Sequence, residues 1–118
     1  MEKFKGIFID VETTGLNHEV DKIIEIGLVP FEFSKDGRIF KLLDGYSSLE
    51  DPKTTLPQKI ISLTGITNEM LNEKSFNDDA IKHIVASSKL IIAHNAIIDR
   101  KFLEKRFPFF NEKAWGAR

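Results

Sequence analysis

Two acidic residues end an apolar segment near the start of the sequence. Asp10 and Glu12 close the run Gly6–Glu12, and no Lys or Arg lies between Lys5 and Lys22. Because side chains alternate faces along a β-strand, the two carboxylates share one face, about 6–7 Å apart at about 3.3 Å per residue. Such a pair can hold one hard divalent cation, and without a cation it suffers repulsion and desolvation. A turn-forming or helix-capping role is the alternative.

A third acid lies far along the chain. A helix is predicted over Ala96 to Phe107, with Asn95 at its N-cap. Asp99 comes three and four residues before Phe102 and Leu103, so helical spacing turns it toward the apolar stripe of that helix. The sequence therefore predicts an inward-facing carboxylate. An acid that only complements the helix dipole is the alternative.

Four motifs connect these acids to a family. They occur in the order Ile7–Leu16, Lys22–Gly27, Leu63–Thr67 and His94–Asp99. Together they resemble the DEDD superfamily of 3′-to-5′ exonucleases, and within it the branch that holds the proofreading epsilon subunit of bacterial DNA polymerase III. The resemblance implies a ribonuclease-H-like fold and hydrolysis of phosphodiester bonds at nucleic-acid 3′ ends, with two Mg²⁺ or Mn²⁺ ions per site.

The resemblance also implies roles for individual residues. Asp10 would bridge both metals, Glu12 would bind the first, and Asp99 would reach the second largely through water. The 3′-terminal nucleotide would be received by Thr13, Thr14, Gly15, Leu16 and Asn95. In this arrangement Leu16 would press against the terminal base. The alternative is that Leu16 is simply a well-packed residue of a tight turn.

The same resemblance reveals a gap. Family members carry a third acidic motif, an Asp four or five residues after a catalytic His or Tyr. After Asp99 the only acids are Glu104 and Glu112, and no His or Tyr follows His94. Either residues 1–118 are the amino-terminal part of a longer exonuclease, or the protein is short and chemically impaired. The alternative function is a nucleic-acid-binding or protein-interaction module that retains the exonuclease fold.

Composition limits the class of protein. The 118 residues, 42% of them hydrophobic and 10 of them Phe, suffice for one domain, predicted here to be incomplete at its carboxyl end. A net charge of −1 argues against a protein that grips long duplexes by phosphate neutralisation. The absence of cysteine suits the cytoplasm, and no apolar run is long enough to span a membrane. The expected partners are single-stranded 3′ ends, DNA in preference to RNA, and a polymerase or repair protein.

The predicted architecture is a mixed α/β sheet flanked by helices, with strand order 3-2-1-4. The four strands are Phe4–Val11, Lys22–Phe33, Arg38–Ser47 and Lys89–Ala93, and the intervening helices are Pro57–Leu63, Thr67–Leu71 and one capped by Asn77. In the resembling fold a fifth strand pairs with the fourth and a last helix covers the sheet near Phe8, but no segment after Phe110 is long or apolar enough to supply both, so the fifth strand is expected to be missing. The fourth strand would then be an unprotected edge, and such edges promote self-association.

Several other residues have two interpretations. Glu25 is predicted to be a strand residue with a polar partner and not a ligand. The basic residues of the last helix could follow phosphates or complement the helix dipole; they are Arg100, Lys101, Lys105 and Arg106. Phe107, Phe109 and Phe110 could stack on bases, but a core-closing cluster is favoured.

Overall fold

The computed structural model describes residues 2–117 as a mixed sheet flanked by helices. The strands are β1 (Lys3–Thr13), β2 (Ile23–Ser34), β3 (Ile39–Leu42), β4 (Tyr46–Leu49), β5 (Leu90–Ala93) and β6 (Ala114–Ala117). The helices are α1 (Gln58–Thr64), α2 (Asn68–Leu71), α3 (Asp78–Ala86) and α4 (Ala96–Arg106), and a 3₁₀ turn covers Pro108–Phe110. No helix within residues 2–117 has both the length and the apolar character needed to cross a membrane.

The sheet has the order β3-β2-β1-β5-β6, with β4 also paired to β2. This confirms the predicted order, since the fourth predicted strand is β5. Strand β5 runs parallel to β1, with Gly6–Ile9 opposite Leu90–Ala93. The adjacency brings the end of β1 close to the start of α4, and both carry predicted site residues.

The predicted third strand is in fact two strands. Phe31 pairs with Leu42 and Leu28 pairs with Tyr46, so β2 advances three residues where the partner segment advances four. The extra residue breaks the ladder between β3 and β4, as in a bulge. Gly45 lies in this break, and a Cβ there would be only 3.0 Å from the carbonyl oxygen of Leu28.

The expectation that the fifth strand is missing was wrong. Strand β6 pairs in parallel with all four residues of β5, from Leu90–Ala114 to Ala93–Ala117. Trp115 anchors it by packing on Phe110, with ring centroids 5.8 Å apart. The sequence did not reveal β6 because a four-residue strand with one large side chain is specified by tertiary contacts more than by its own composition. Strand β5 is therefore covered, and the predicted reason for self-association at its edge does not hold.

Two apolar clusters hold the fold together. The larger lies between one sheet face and helices α3 and α4; its fully buried members include Ile7, Ile26, Ile81, Ile91, Leu103 and Phe110. The smaller lies beneath α1 and α2 at one end of the sheet and is built on Ile24, Leu56, Ile66 and Leu71. The predicted cluster of Phe107, Phe109 and Phe110 is confirmed as part of the larger core, where the three rings contact one another.

The predicted helix ends are largely correct. Asn77 caps α3, because its side chain accepts a hydrogen bond from the backbone of Ala80 at 3.0 Å. Gly65 ends α1 in the left-handed conformation, with φ +75°, where glycine is favoured. Asn95 occupies the N-cap position of α4 but makes no capping hydrogen bond through its side chain. That side chain is therefore not committed to the helix, in contrast to the prediction.

Candidate active site

The predicted acidic residues meet at one end of the sheet. Asp10 and Glu12 lie on the same face of β1, opposite Gly27 and Glu25 of β2. Asp99 lies on the first turn of α4 and is only 8% exposed, as its helical spacing predicted. The three acids reach this edge because β1 and β5 are parallel neighbours and α4 begins directly after β5.

The carboxylates repel one another. Burial raises the pKa of Glu12, and the nearby charges of Asp10, Glu25 and Asp99 raise it further. The ion pairs among residues 2–117 include none of these four acids. The site therefore concentrates negative charge that no ion pair among residues 2–117 balances, which is the electrostatic condition that a bound cation relieves.

Asp99 occupies a different environment from Glu12. Burial raises its pKa and the charge of Asp10 adds to this, while a backbone hydrogen bond from Asn95 and the charge of His94 lower it. The imidazole of His94 therefore lies within electrostatic reach of Asp99. Sequence reasoning gave His94 no catalytic role, and the structure places it at the rim of the site, exposed to solvent.

The ligand set suits a hard cation that keeps part of its own shell. Within residues 2–117, no three His, Cys, Asp or Glu side chains form a ready-made metal cage. Mg²⁺ is commonly held by one or two carboxylates together with water and substrate phosphate, and such a cage is not needed for it. A closed structural zinc site, by contrast, requires four protein ligands. The uncompensated carboxylates therefore fit Mg²⁺ or Mn²⁺ in the presence of a phosphate ligand.

Two cavities share Glu12 as a wall. A small one, about 230 Å³, is lined by Asp10, Glu12, Glu25 and Ser47. A larger one, about 600 Å³, is lined by Glu12 and Asp99 and lies between α1 and the loop after β1. Its lining includes all five residues predicted to receive the terminal nucleotide: Thr13, Thr14, Gly15, Leu16 and Asn95. We call the larger cavity the nucleotide pocket, since its volume lies in the range of small-ligand sites.

Exposed aliphatic side chains line the nucleotide pocket. Leu16 is 79% exposed, so the alternative of a well-packed leucine in a tight turn is wrong. Leu63 of α1 faces the same pocket and is 71% exposed. Exposed leucines on two sides of one cavity form a surface that a flat apolar group can cover.

Sequence reasoning missed part of this site. Glu25 has an acidic residue, Glu12, directly opposite it, and not the polar partner that was predicted. Helix α1 contributes Lys59, Ile60 and Leu63 to the pocket, although none of them was predicted to be a site residue. The position of Leu63 could have indicated its role. It lies in the last turn of α1, next to the helix-ending Thr64-Gly65, where an apolar side chain can remain exposed to a ligand.

The basic residues of α4 are mostly engaged within the protein. Arg106 donates to Glu50 and Asp78 and stacks on the ring of Phe107, 4.4 Å from its centroid. Arg100 pairs with Glu104 at 2.9 Å. Lys105 donates to two backbone carbonyls of the loop after β1. These contacts occupy three of the four side chains and argue against the phosphate interpretation for them, while Lys105 and Arg106 lie in the last turn of α4, as the dipole interpretation requires. Lys101 is exposed.

Comparison with known proteins identifies the class. The profile of the RNase_T family, described as Exonuclease, matches residues 7–114. The chain belongs to this exonuclease family. The ribonuclease-H-like fold predicted from the motifs is confirmed by the sheet order and by solved exonuclease structures.

Relatives of the chain include bacterial DNA polymerases III of the PolC type. The chain is 39% identical over 101 residues to the PolC-type DNA polymerase III of Clostridium perfringens, covering 84% of this chain and 7% of that protein. It is 37% identical over 99 residues to that of Thermotoga petrophila, covering 82% and 7%. The chain thus spans about 7% of the length of these relatives.

Solved structures with the same fold are nucleases. Exonuclease X in complex with 5′-overhanging duplex DNA has a TM-score of 0.60 and 31% identity, covering 82% of this chain and 52% of that chain. A metal-free complex of Escherichia coli exonuclease I with single-stranded DNA has a TM-score of 0.70 and 15% identity, covering 97% and 28%. The second likeness concerns the fold alone.

Proposed function

We propose that residues 1–118 form a single exonuclease domain that releases nucleotides from nucleic-acid 3′ ends with the help of divalent metal ions. One observation carries the proposal. Carboxylates that no ion pair balances, with Glu12 partly and Asp99 largely removed from water, stand beside a cavity of nucleotide size. A site for phosphodiester hydrolysis requires both features together.

Three acids would hold the metals. Asp10 and Glu12 offer oxygen ligands on one strand face, and Asp99 of α4 lies within electrostatic reach of both. Two Mg²⁺ or Mn²⁺ ions held by these carboxylates would lower the pKa of a bound water and stabilise the negative charge that develops on the phosphate oxygens. Asp10 would bridge the two sites and Asp99 would act largely through water.

The remaining residues of the site would bind and orient the substrate. Leu16 and Leu63 would cover the faces of the terminal base and exclude water from it. The backbone from Thr13 to Gly15 would line the sugar and phosphate. Asn95, whose side chain makes no capping bond to α4, has an amide available to a nucleotide.

DNA is the proposed substrate and a replicative polymerase the proposed partner, in the cytoplasm. The relatives named above are DNA polymerases, and the two solved structures named above are complexes with DNA. The general base of the resembling family has no counterpart among residues 100–118, which contain no His, Tyr or Asp. Turnover by this chain alone is therefore expected to be weak.

The absence of a general base among residues 100–118 also favours a second candidate function. A module that binds nucleic acid or a protein through the exonuclease fold, without turnover, would need the pocket but not the base. The two functions differ in one measurable respect, which is whether metal-dependent shortening of a strand occurs at all.

The test is digestion of a single-stranded DNA oligonucleotide labelled at its 5′ end. With Mn²⁺, slow release from the 3′ end should give a ladder of labelled products one nucleotide apart, and EDTA or Asp99→Asn should abolish it. An oligonucleotide with a blocked 3′ terminus is the matched substrate control. A complete lack of shortening, with DNA binding retained, would support the binding module and contradict the exonuclease.

A further inference from the structure

We infer that Asp21 and Lys105 are positioning residues that set the shape of the nucleotide pocket. Neither lines that pocket; both line a separate cavity of about 370 Å³ on the other side of the loop after β1. They act through that loop, residues 14–20, which carries Leu16. The inference rests on the proposed function, because it concerns how the same pocket is held in shape.

The loop requires such support because Leu16 has little packing of its own. Because Leu16 is 79% exposed, contacts with the core do little to fix its position. Its place in the pocket must come from the backbone on either side of it. That backbone is fixed by hydrogen bonds behind the loop.

Asp21 is the centre of those hydrogen bonds. Its carboxylate accepts from the hydroxyl of Thr14 and from the backbone N–H of Asn17, each at 3.0 Å. The Thr14 hydroxyl in turn accepts from the N–H of Lys22 at 3.0 Å. The carboxylate therefore joins the residues on both sides of Leu16, and hydrogen bonds to a charged acceptor are among the stronger ones.

Gly15 is shaped to the same carboxylate. A Cβ on residue 15 would lie 2.7 Å from the carboxyl carbon of Asp21, closer than any real contact permits. The loop thus closes so tightly on Asp21 that a side chain at residue 15 would displace its carboxylate. The close approach ties the Gly15 backbone, which lines the nucleotide pocket, to the position of one side chain.

Lys105 connects this loop to the helix that carries Asp99. Its ammonium donates to the carbonyl oxygens of His18 and Glu19, at 2.9 and 2.7 Å. Asp99 and Lys105 lie on the same helix, α4. The ammonium therefore holds the loop that carries Leu16 at a fixed distance from the helix that carries Asp99.

The experiment measures binding of 2′-deoxyadenosine 5′-monophosphate in the presence of Mn²⁺, by calorimetry well below the unfolding temperature. Asp21→Ala and Lys105→Ala should each weaken nucleotide binding about ten-fold, in line with the loss of charge-assisted hydrogen bonds. Affinity for Mn²⁺ alone should be unchanged, because neither residue touches the acids. Asp21→Asn keeps one acceptor oxygen and should show a smaller loss.

Matched controls come from the same chain. Asp44→Ala removes an exposed Asp outside the loop, and Lys101→Ala removes an exposed Lys from the same helix. Both should bind the nucleotide like the parent. Circular dichroism and thermal unfolding establish that each variant is folded at the temperature of measurement.

A double-mutant cycle tests the mechanism. Gly15→Ala should weaken nucleotide binding in the parent but much less in the Asp21→Ala background, because the clash is with the carboxylate. Equal losses in both backgrounds, or parent-like binding by Asp21→Ala and Lys105→Ala, would overturn the inference alone. Failure of the parent to bind the nucleotide with Mn²⁺ would overturn the proposed function and this inference together.

Discussion

Glu12 and Glu25 are direct cross-strand partners on β1 and β2, and their side chains share the sheet face that carries Asp10. Like charges in this position destabilise a sheet. The repulsion contributes to the raised pKa of Glu12. The fold therefore carries an unfavourable interaction at the candidate site, as expected where function and stability compete.

Replacing Glu25 with Gln should stabilise the metal-free protein. Removing one of two opposed charges should raise the free energy of unfolding by about 0.2–1 kcal/mol, measured by urea denaturation in EDTA at pH 7. Glu32→Gln is the matched control, because Glu32 lies opposite Lys5 and its loss should not stabilise. A lower stability for Glu25→Gln than for the parent would show that Glu25 makes a favourable interaction.

The stability of the metal-free protein should depend on pH through Glu12. Its pKa is raised in the folded state, so the native protein binds more protons than the unfolded chain above the ordinary carboxyl pKa of about 4. This stabilising contribution is lost as the pH rises through the folded-state pKa. Asp78, whose pKa is lowered by a hydrogen bond from Arg106, acts in the opposite direction.

The comparison that isolates Glu12 is therefore parent against Glu12→Gln. The parent should lose stability relative to the variant between pH 4 and pH 7 in EDTA. Affinity of the parent for Mn²⁺ should rise over the same interval, because the ligands must be deprotonated. A stability difference that is constant with pH would contradict the raised pKa.

Leu16→Ala should separate binding from stability. Because Leu16 is 79% exposed, its loss should change the free energy of unfolding by less than about 0.5 kcal/mol. Nucleotide binding in Mn²⁺ should weaken by about 1–2 kcal/mol, since a leucine partly buried by the base is lost. Val20→Ala is the matched control, as Val20 is 69% exposed and lies outside the pocket lining. Unchanged binding by Leu16→Ala would remove this residue from the substrate site.

Strand β6 should prevent association at β5. All four residues of β5 pair with β6, so the intact chain should sediment as a monomer at high micromolar concentration. Deleting residues 114–118 would leave the backbone groups of β5 unpaired and should produce concentration-dependent association. A monomeric deletion variant would show that β6 does not protect this edge.

The sequence specified those features that depend on local spacing. The shared face of Asp10 and Glu12 follows from the two-residue period of a strand, and the inward position of Asp99 follows from helical spacing. The pairing of Glu12 with Glu25 could not be read in this way, because it depends on long-range register. That register shifts between Glu12 and Thr13.

Side-chain contacts across the chain were also outside the reach of sequence reasoning. Lys105 was interpreted as a phosphate contact or a dipole partner, yet it binds carbonyls more than 80 residues away. The uncommitted side chain of Asn95 likewise reflects its surroundings and not its helix-capping propensity. Such contacts are decided by how elements pack, which a local pattern does not encode.

The central claim is that Asp10, Glu12 and Asp99 bind a divalent metal together with a nucleotide phosphate. Calorimetric titration of Mn²⁺ into the parent and into Asp10→Asn, each saturated with 2′-deoxyadenosine 5′-monophosphate, tests it most directly. We expect saturable binding to the parent and at least about ten-fold weaker binding to the variant, as for the loss of a metal-site residue. Equal Mn²⁺ affinity in the two proteins would contradict the assignment of this acidic edge as the metal site.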